Sequence, residues 1–232
     1  LLSGLAFAVF YCTLGIPIAR WADRGNRITI ISISVAIFSA MTALCGLATG
    51  FTQLLLFRIG VGAGEAGCTP SSHSLISDYF SRANRAKAMS IYMMGAPLGM
   101  LVGYLVGGWV NELYGWRIVF LVLGVPGVIL GVIVKLTLRD PRENLAVDKL
   151  SSQQEAQAVV LPSIAETLRA LYQKRTFRHL TIALSLLYFV GYGTGQWQPA
   201  FFMRTHAMNS GELGIWLALT SGIGGTIGVW LG

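Results

Sequence analysis

Arg58-Ile-Gly-Val-Gly-Ala-Gly-Glu65-Ala-Gly-Cys-Thr-Pro70 decides how the rest of the chain is read. An arginine and a glutamate stand seven positions apart in an otherwise apolar, glycine-laden segment. Seven positions make about two helical turns, so both side chains leave one face, roughly 10 Å apart along the axis. In water this would be an odd core helix. In a bilayer an ionisable side chain costs at least about 2.5 kcal/mol to hold at depth, which marks it as a functional-site candidate.

The composition says that the solvent is lipid. Of 232 residues, 54% are hydrophobic and only 12% charged, against about 25% charged in an ordinary soluble domain. Apolar stretches of about 20 residues, the length that spans a bilayer, recur along the chain. They cover residues 1–19, 28–48, 53–76, 88–110, 118–138 and 180–202, and a seventh runs from 212 to the last residue. The expected fold class is therefore all-α, a polytopic transmembrane helical bundle. Cys12, Cys45 and Cys68 lie inside apolar segments without metal-ligand spacing and read as small buried hydrophobes. No nucleophile–base pair, phosphate-binding loop or metal cluster is visible, so neither an enzyme nor a cofactor is expected. A chain that starts at Leu1 and ends in Trp230-Leu231-Gly232 reads as a piece of a longer membrane protein.

Charge fixes an orientation. The net charge of +7 is unevenly distributed. If the first segment ends on the cytoplasmic side, Arg20, Arg24, Arg27, Arg82, Arg85, Lys87, Lys135, Arg139 and the basic residues up to Arg178 all fall there. Only Arg117 and Arg204 lie near the outer side. This positive-inside bias places the basic loops against an anionic membrane surface, not a nucleic acid. The expected location is a bacterial inner membrane. Residues 139–179 are too polar to span and read as a cytoplasmic linker between residues 1–138 and 180–232. Residues 145–160 lack an apolar face. Ser163-Ile-Ala-Glu166 has the form of a capping box. Ile164, Leu168, Leu171 and Tyr172 then share one face of a short amphipathic helix, which would lie on the membrane surface or take a partner.

Asp23-Arg24-Gly25-Asn26-Arg27 is a tight charged loop between two apolar segments. Alone it could be a topology signal. With Gly15, Pro17, Ala19 and Trp21 before it, the stretch resembles the Gly-x-x-x-Asp-Arg-x-Gly-Arg signature loop of the major facilitator superfamily, with Ala19 and Asn26 where that family usually has glycine. Asp78-Tyr-Phe-Ser-x-x-x-Arg85 is similar to the same family's loop after its fourth helix, and Trp116-Arg117-x-x-Phe120 to the start of its sixth. The resemblance implies that the segments are helices two to eight: 1–138 holds helices two to six of the N-terminal half, and 180–232 holds helices seven and eight of the C-terminal half. It also implies a cytoplasmic gate of Asp23, Arg24, Arg27, Asp78 and Arg85. Arg58-x-Gly-x-Gly-x-Gly-Glu65-Ala and the later Gly191-Tyr-Gly-x-Gly-Gln-Trp197 run resemble the Spinster branch, whose members move lysolipids and sphingolipids.

Counted from an outer turn near Thr52, Arg58 lies in the outer half of its segment and Glu65 near mid-membrane. A carboxyl between lipid and a guanidinium is suited to change protonation as a cavity opens to either side. Glu65 is thus the expected proton-coupling group, with Arg58 as its conditional partner or an anion anchor. The alternative is a static buried pair that fixes packing. Gly95, Gly99, Gly103 and Gly107 recur every four residues and read as a helix-packing seam. Tyr188, Tyr192, Gln196 and Trp197 surround three glycines, which suggests a discontinuous helix forming a cavity wall or outer gate; for Trp197 an interfacial belt is the alternative. His73 reads as a hydrogen-bonded histidine, or else as a proton relay. The expected activity is proton-coupled alternating-access transport of an amphiphile by a monomer, with substrate, protons and membrane lipid as partners. An organic-anion symporter is the runner-up, and a channel or intramembrane enzyme the reading from another class.

Overall fold

The computed structural model describes residues 5–141 and 164–231, with side chains for 7–22, 25–141 and 165–231. Every regular element among them is helical. In order they are α1 (Leu5–Arg24), α2 (Arg27–Gly46), α3 (Phe51–Glu65), α4 (Cys68–Tyr79), α5 (Arg85–Met93), α6 (Gly95–Tyr114), α7 (Trp116–Thr137), α8 (Ile164–Gln173), α9 (Arg175–Thr205), α10 (Ser210–Leu217), a π-helical turn (Ala218–Ile223) and α11 (Gly224–Leu231). Four stretches are long and apolar enough to cross a membrane: Arg27–Gly46, Arg85–Tyr114, Trp116–Thr137 and Ser210–Leu231. The second of these joins α5 to α6 through Met94, which keeps helical angles. The third expected segment is split. α3 ends at Glu65, Ala66-Gly67 forms a turn, and α4 begins at Cys68. Pro70 has no N–H, so the Ala66 carbonyl has no donor four residues on.

Two compact units form: residues 1–147 together with 210–232, and residues 148–209. In the first, α2 is the central helix. Asn26 starts it as an N-cap, its Oδ1 accepting from Thr29 N at 2.9 Å. α7 lies against α2 at backbone contact distance. A Cβ on Gly124 would stand 2.5 Å from Ala43 N, and one on Gly131 3.1 Å from Ala36 N. A Cβ on Gly127 would meet Ser39 Oγ closer still. The Ser32 hydroxyl donates to Gly131 O at 2.7 Å across this interface. Small residues on both helices thus bring the backbones together, the usual device where lipid supplies no hydrophobic drive between helices. Gly115, at φ 81°, makes the turn from α6 to α7 in a region that L side chains rarely enter.

The second unit holds α8 and α9, with extended Lys174 between them. Arg178 Cζ lies 5.6 Å from the centre of the Tyr172 ring. α9 runs unbroken through Gly191, Gly193, Gly195 and Pro199, so the discontinuous helix expected here is corrected. One proline removes one hydrogen bond of a 31-residue helix, which the remaining ladder tolerates. Residues 145–160 and Ser163, with its half of the capping box, lie outside the described residues.

Candidate functional site

α3 reaches both α1 and α2 through its glycines. A Cβ on Gly60 would lie 2.8 Å from Met41 Sδ, and one on Gly64 2.7 Å from Phe38 N, both on α2. Past the turn, one on Gly67 would crowd Ser34 Oγ and stand 3.0 Å from Ile18 Cγ2. Gly62 points to α1 instead: its Cβ would lie 3.0 Å from both Phe7 Cδ2 and Phe7 O. Positions 58, 62 and 65 follow the i, i+4, i+7 pattern of one helical face. Arg58, the Gly62 notch and Glu65 therefore form a stripe that faces α1. Phe7 enters the notch, with the Arg58 guanidinium 5.9 Å from its ring centre and Tyr11 stacked on it at 5.8 Å. Arg58 and Glu65 are both half-buried, and Glu65 is the last residue before the turn. The stripe offers a cation and a carboxyl at a helix break, parted along the axis by a glycine notch with an aromatic ring in it.

A second cluster lies where α2 begins and α4 and α7 end. Arg27 is completely buried. Its Nη2 pairs with Asp140 Oδ1 at 2.6 Å, and its Nη1 with Asp78 Oδ2 at 2.8 Å. Nε donates to Asp140 Oδ2 at 3.2 Å and Nη1 to Ser74 Oγ at 3.1 Å. The Arg27 backbone N–H also donates to Asp140 Oδ2, at 3.0 Å. A cation in the first turn of a helix is disfavoured by the helix dipole. Two carboxylates at that end offset this and satisfy the guanidinium. Arg27 and Asp78, both singled out from the sequence, thus meet. Asp140 was missed, although an acidic residue in the basic run that follows the fifth apolar segment was a usable signal. Tyr79 holds the same strand of chain, its hydroxyl donating to the Arg139 carbonyl. Arg85 is placed otherwise: its Nη2 donates to Ser77 O at 2.7 Å. Asp23 and Arg24 end α1, and their side chains lie outside the described residues.

The glycine stripe of α6 is placed differently from the expected seam. Among the described residues a Cβ on Gly95, Gly99 or Gly103 would meet nothing within 4 Å, and one on Gly107 only Val119, at 3.9 Å. The close contact of α6 runs through Gly108, whose Cβ would stand 2.6 Å from Ser210 O and 3.0 Å from Gly214 Cα. His73 meets Tyr92 edge-on at 5.3 Å. Its Nε2 is buried with no hydrogen-bond partner among the described residues, which corrects the expectation of a bonded histidine at that nitrogen. On α9, Tyr188 and Tyr192 lie 6.3 Å apart, one turn from each other, with Gln196 and Trp197 a turn further on. No group of three or more potential metal ligands occurs among the described residues.

Residues 1–232 match the Major Facilitator Superfamily. The chain belongs to that superfamily. With four helices long and apolar enough to span, it is an integral membrane protein. It superposes with a TM-score of 0.77, at 36% identity, on the crystal structure of a bacterial homologue of the human lysosomal transporter Spinster, in an inward-facing and unoccupied conformation. That match covers 97% of this chain and 52% of the other. A major-facilitator-type efflux pump of Mycolicibacterium smegmatis is 30% identical over 228 residues, 98% of this chain and 51% of the pump. A sphingosine-1-phosphate transporter of Mus musculus is 28% identical over 212 residues, 89% of this chain and 38% of the transporter. These superfamily members are transport proteins, not enzymes, and the chain spans about half or less of their length.

Proposed function

We propose that the protein is a secondary active transporter that moves an amphiphile of the lysophospholipid or sphingoid type by proton-coupled alternating access. The observation that carries this reading is the stripe of Arg58, Gly62 and Glu65 at the break between α3 and α4. Glu65 has the position of a proton carrier, because a carboxyl at a helix break is reached by water from a cavity more easily than one in mid-helix. Arg58 serves as its conditional partner or as the anchor for the anionic head of the substrate. Similarity to a sphingosine-1-phosphate transporter and a Spinster homologue supports the substrate class. The basic loops face the cytoplasm in this reading, so Arg27, Asp78 and Asp140 form the core of a cytoplasmic gate. Asp23, Arg24 and Arg85 lie on its rim, and Tyr188, Tyr192, Gln196 and Trp197 belong to a cavity wall or outer gate.

The test is uptake by the full-length protein in proteoliposomes. Lysophospholipid and small organic anions are offered, each with and without a pH gradient. Gradient-driven lysophospholipid uptake that Glu65→Gln uncouples is the expected result. Undiminished coupling in that variant would remove Glu65 from the mechanism. Transport of organic anions alone would leave Arg58 as a carboxylate anchor and overturn the amphiphile assignment.

A further inference from the structure

Glu112 is misplaced for its own helix. It stands in the last turn of α6, where the exposed carbonyls repel a carboxylate. It is well placed for another. Its Oε2 accepts from Gly211 N at 2.7 Å, at the start of α10, where unpaired backbone N–H groups carry partial positive charge. α6 and the stretch from α10 to α11 run antiparallel from this point. A Cβ on Gly214 would stand 2.5 Å from Tyr104 O, and one on Gly225, at the far end, 3.0 Å from Pro97 Cβ. Ser210 Oγ donates to Gly108 O at 3.3 Å. Near Glu112 the contact is glycine against backbone, and this carboxylate adds a charge-assisted bond to it. It lies at the opposite end of α5–α6 from Arg85, and so at the opposite end from the Arg27 cluster.

We propose that Glu112 is the latch of a second gate: its bond to the α10 N-terminus holds the end of the protein away from Arg27 closed, and releasing it opens that end. The proposal rests on the alternating-access reading and deepens it. α6 precedes the polar 139–179 stretch and α10 follows it, so a rocking motion between the halves separates these two helices. The Arg27 cluster, by contrast, lies wholly within residues 27–140, so its ion pairs brace one side of the cytoplasmic gate and do not cross between the halves. The latch suits this role because it is a reversible bond at the end of a close glycine contact that otherwise holds only the long Ser210–Gly108 bond among those described, weak enough to break in each cycle.

The test uses the full-length protein with its cysteines replaced by serine and one reporter at a time. Ala218→Cys lies in the π-helical turn and is 1% exposed in the latched state. Asn84→Cys lies before α5, at the other end. Labelling rates with a membrane-impermeant maleimide are measured with Glu112, Glu112→Gln and Glu112→Ala. Glu112→Ala is expected to raise labelling at 218 by about two- to fivefold, the worth of a charge–dipole bond, and to lower it at 84. Glu112→Gln, which keeps an acceptor oxygen, falls between. Unchanged rates at both reporters would overturn the latch. A rise at both would also overturn it, because a merely loosened protein labels faster everywhere. The readout needs no substrate, so failure of the uptake assay and failure of the latch are separately visible.

Discussion

Asp140 grips Arg27 at three points, accepting from its backbone N–H at 3.0 Å, from Nε at 3.2 Å and from Nη2 at 2.6 Å. One carboxylate thus satisfies the first backbone N–H of α2, neutralises a fully buried cation and ties the chain after α7 to both. Removing it leaves the guanidinium with Ser74 Oγ and with Asp78, which is 35% exposed and meets it at Nη1. Asp140→Ala is expected to cost about 3 kcal/mol, because it strands a buried charge. Asp78→Ala should cost clearly less, since its own charge is partly solvated. Melting temperatures in detergent should rank the wild type first, Asp78→Ala next and Asp140→Ala last. Replacing both members, Arg27→Met with Asp140→Leu, should recover part of the loss, as removal of a buried pair together costs less than breaking it. Equal melting points for the two single variants would show that Asp140 is not the principal partner.

Asn26 explains a departure from the family pattern. Glycine is usual at this position in the signature loop, and asparagine here caps α2 through its bond to Thr29 N. Asn26→Ala should cost about 1 kcal/mol and Asn26→Gly only a few tenths. An unchanged melting temperature in Asn26→Ala would mean that the cap bond contributes little.

Glycines with the same residue name are expected to behave oppositely. A Cβ on Gly64 or Gly124 meets backbone nitrogen at 2.7 and 2.5 Å, and backbone cannot step aside. Gly64→Ala and Gly124→Ala should each cost about 1–3 kcal/mol through overpacking. A Cβ on Gly99 meets nothing within 4 Å. Gly99→Ala should be neutral, or stabilising by up to about 1 kcal/mol through helix propensity. The three melting points, measured side by side, check this. A loss at Gly99 equal to that at Gly64 would show that the 95–107 stripe packs against something.

The helical class was legible because lipid demands long apolar segments, and four of the seven expected spans are long and apolar enough among the described residues. Arg58, Glu65, Arg27 and Asp78 were legible because a charge in such a segment, or in a tight loop between two, is costly and therefore noticeable. What the sequence did not reveal was direction. A four-residue glycine period marks a stripe on α6 but not what the stripe faces, and the tight contact fell one position on, at Gly108. Gly124, Gly127 and Gly131 of α7 carry the approach to α2, and their uneven spacing hid them beside the more regular run. Asp140 was hidden for another reason. The acidic residue itself stands out in its basic run, but its partner lies 113 residues away and no local pattern encodes that pairing. The helix break beside Glu65 was half visible: Pro70 announces it, but the turn itself falls at Ala66-Gly67.

Gly62 and Phe7 should behave as one unit. The notch between Arg58 and Glu65 exists only because position 62 lacks a Cβ, and the Phe7 ring and carbonyl both stand 3.0 Å from where that atom would be. Gly62→Ala must push α1 outward or turn the ring out of the notch. Shrinking the ring with Phe7→Leu relieves the side-chain half of the clash and leaves the carbonyl half. The double variant should therefore recover part, but not all, of the melting temperature lost in Gly62→Ala, with a coupling of about 0.5–3 kcal/mol between the two sites. Phe7→Leu alone should cost less than Gly62→Ala, because it removes contact without creating overlap. The stability cycle and uptake by the same variants separate packing from function. Stability that is restored without uptake assigns the ring a part in keeping the Arg58–Glu65 stripe open to substrate. Stability and uptake restored together reduce it to filler. Strictly additive losses would show that Phe7 does not occupy the notch at all.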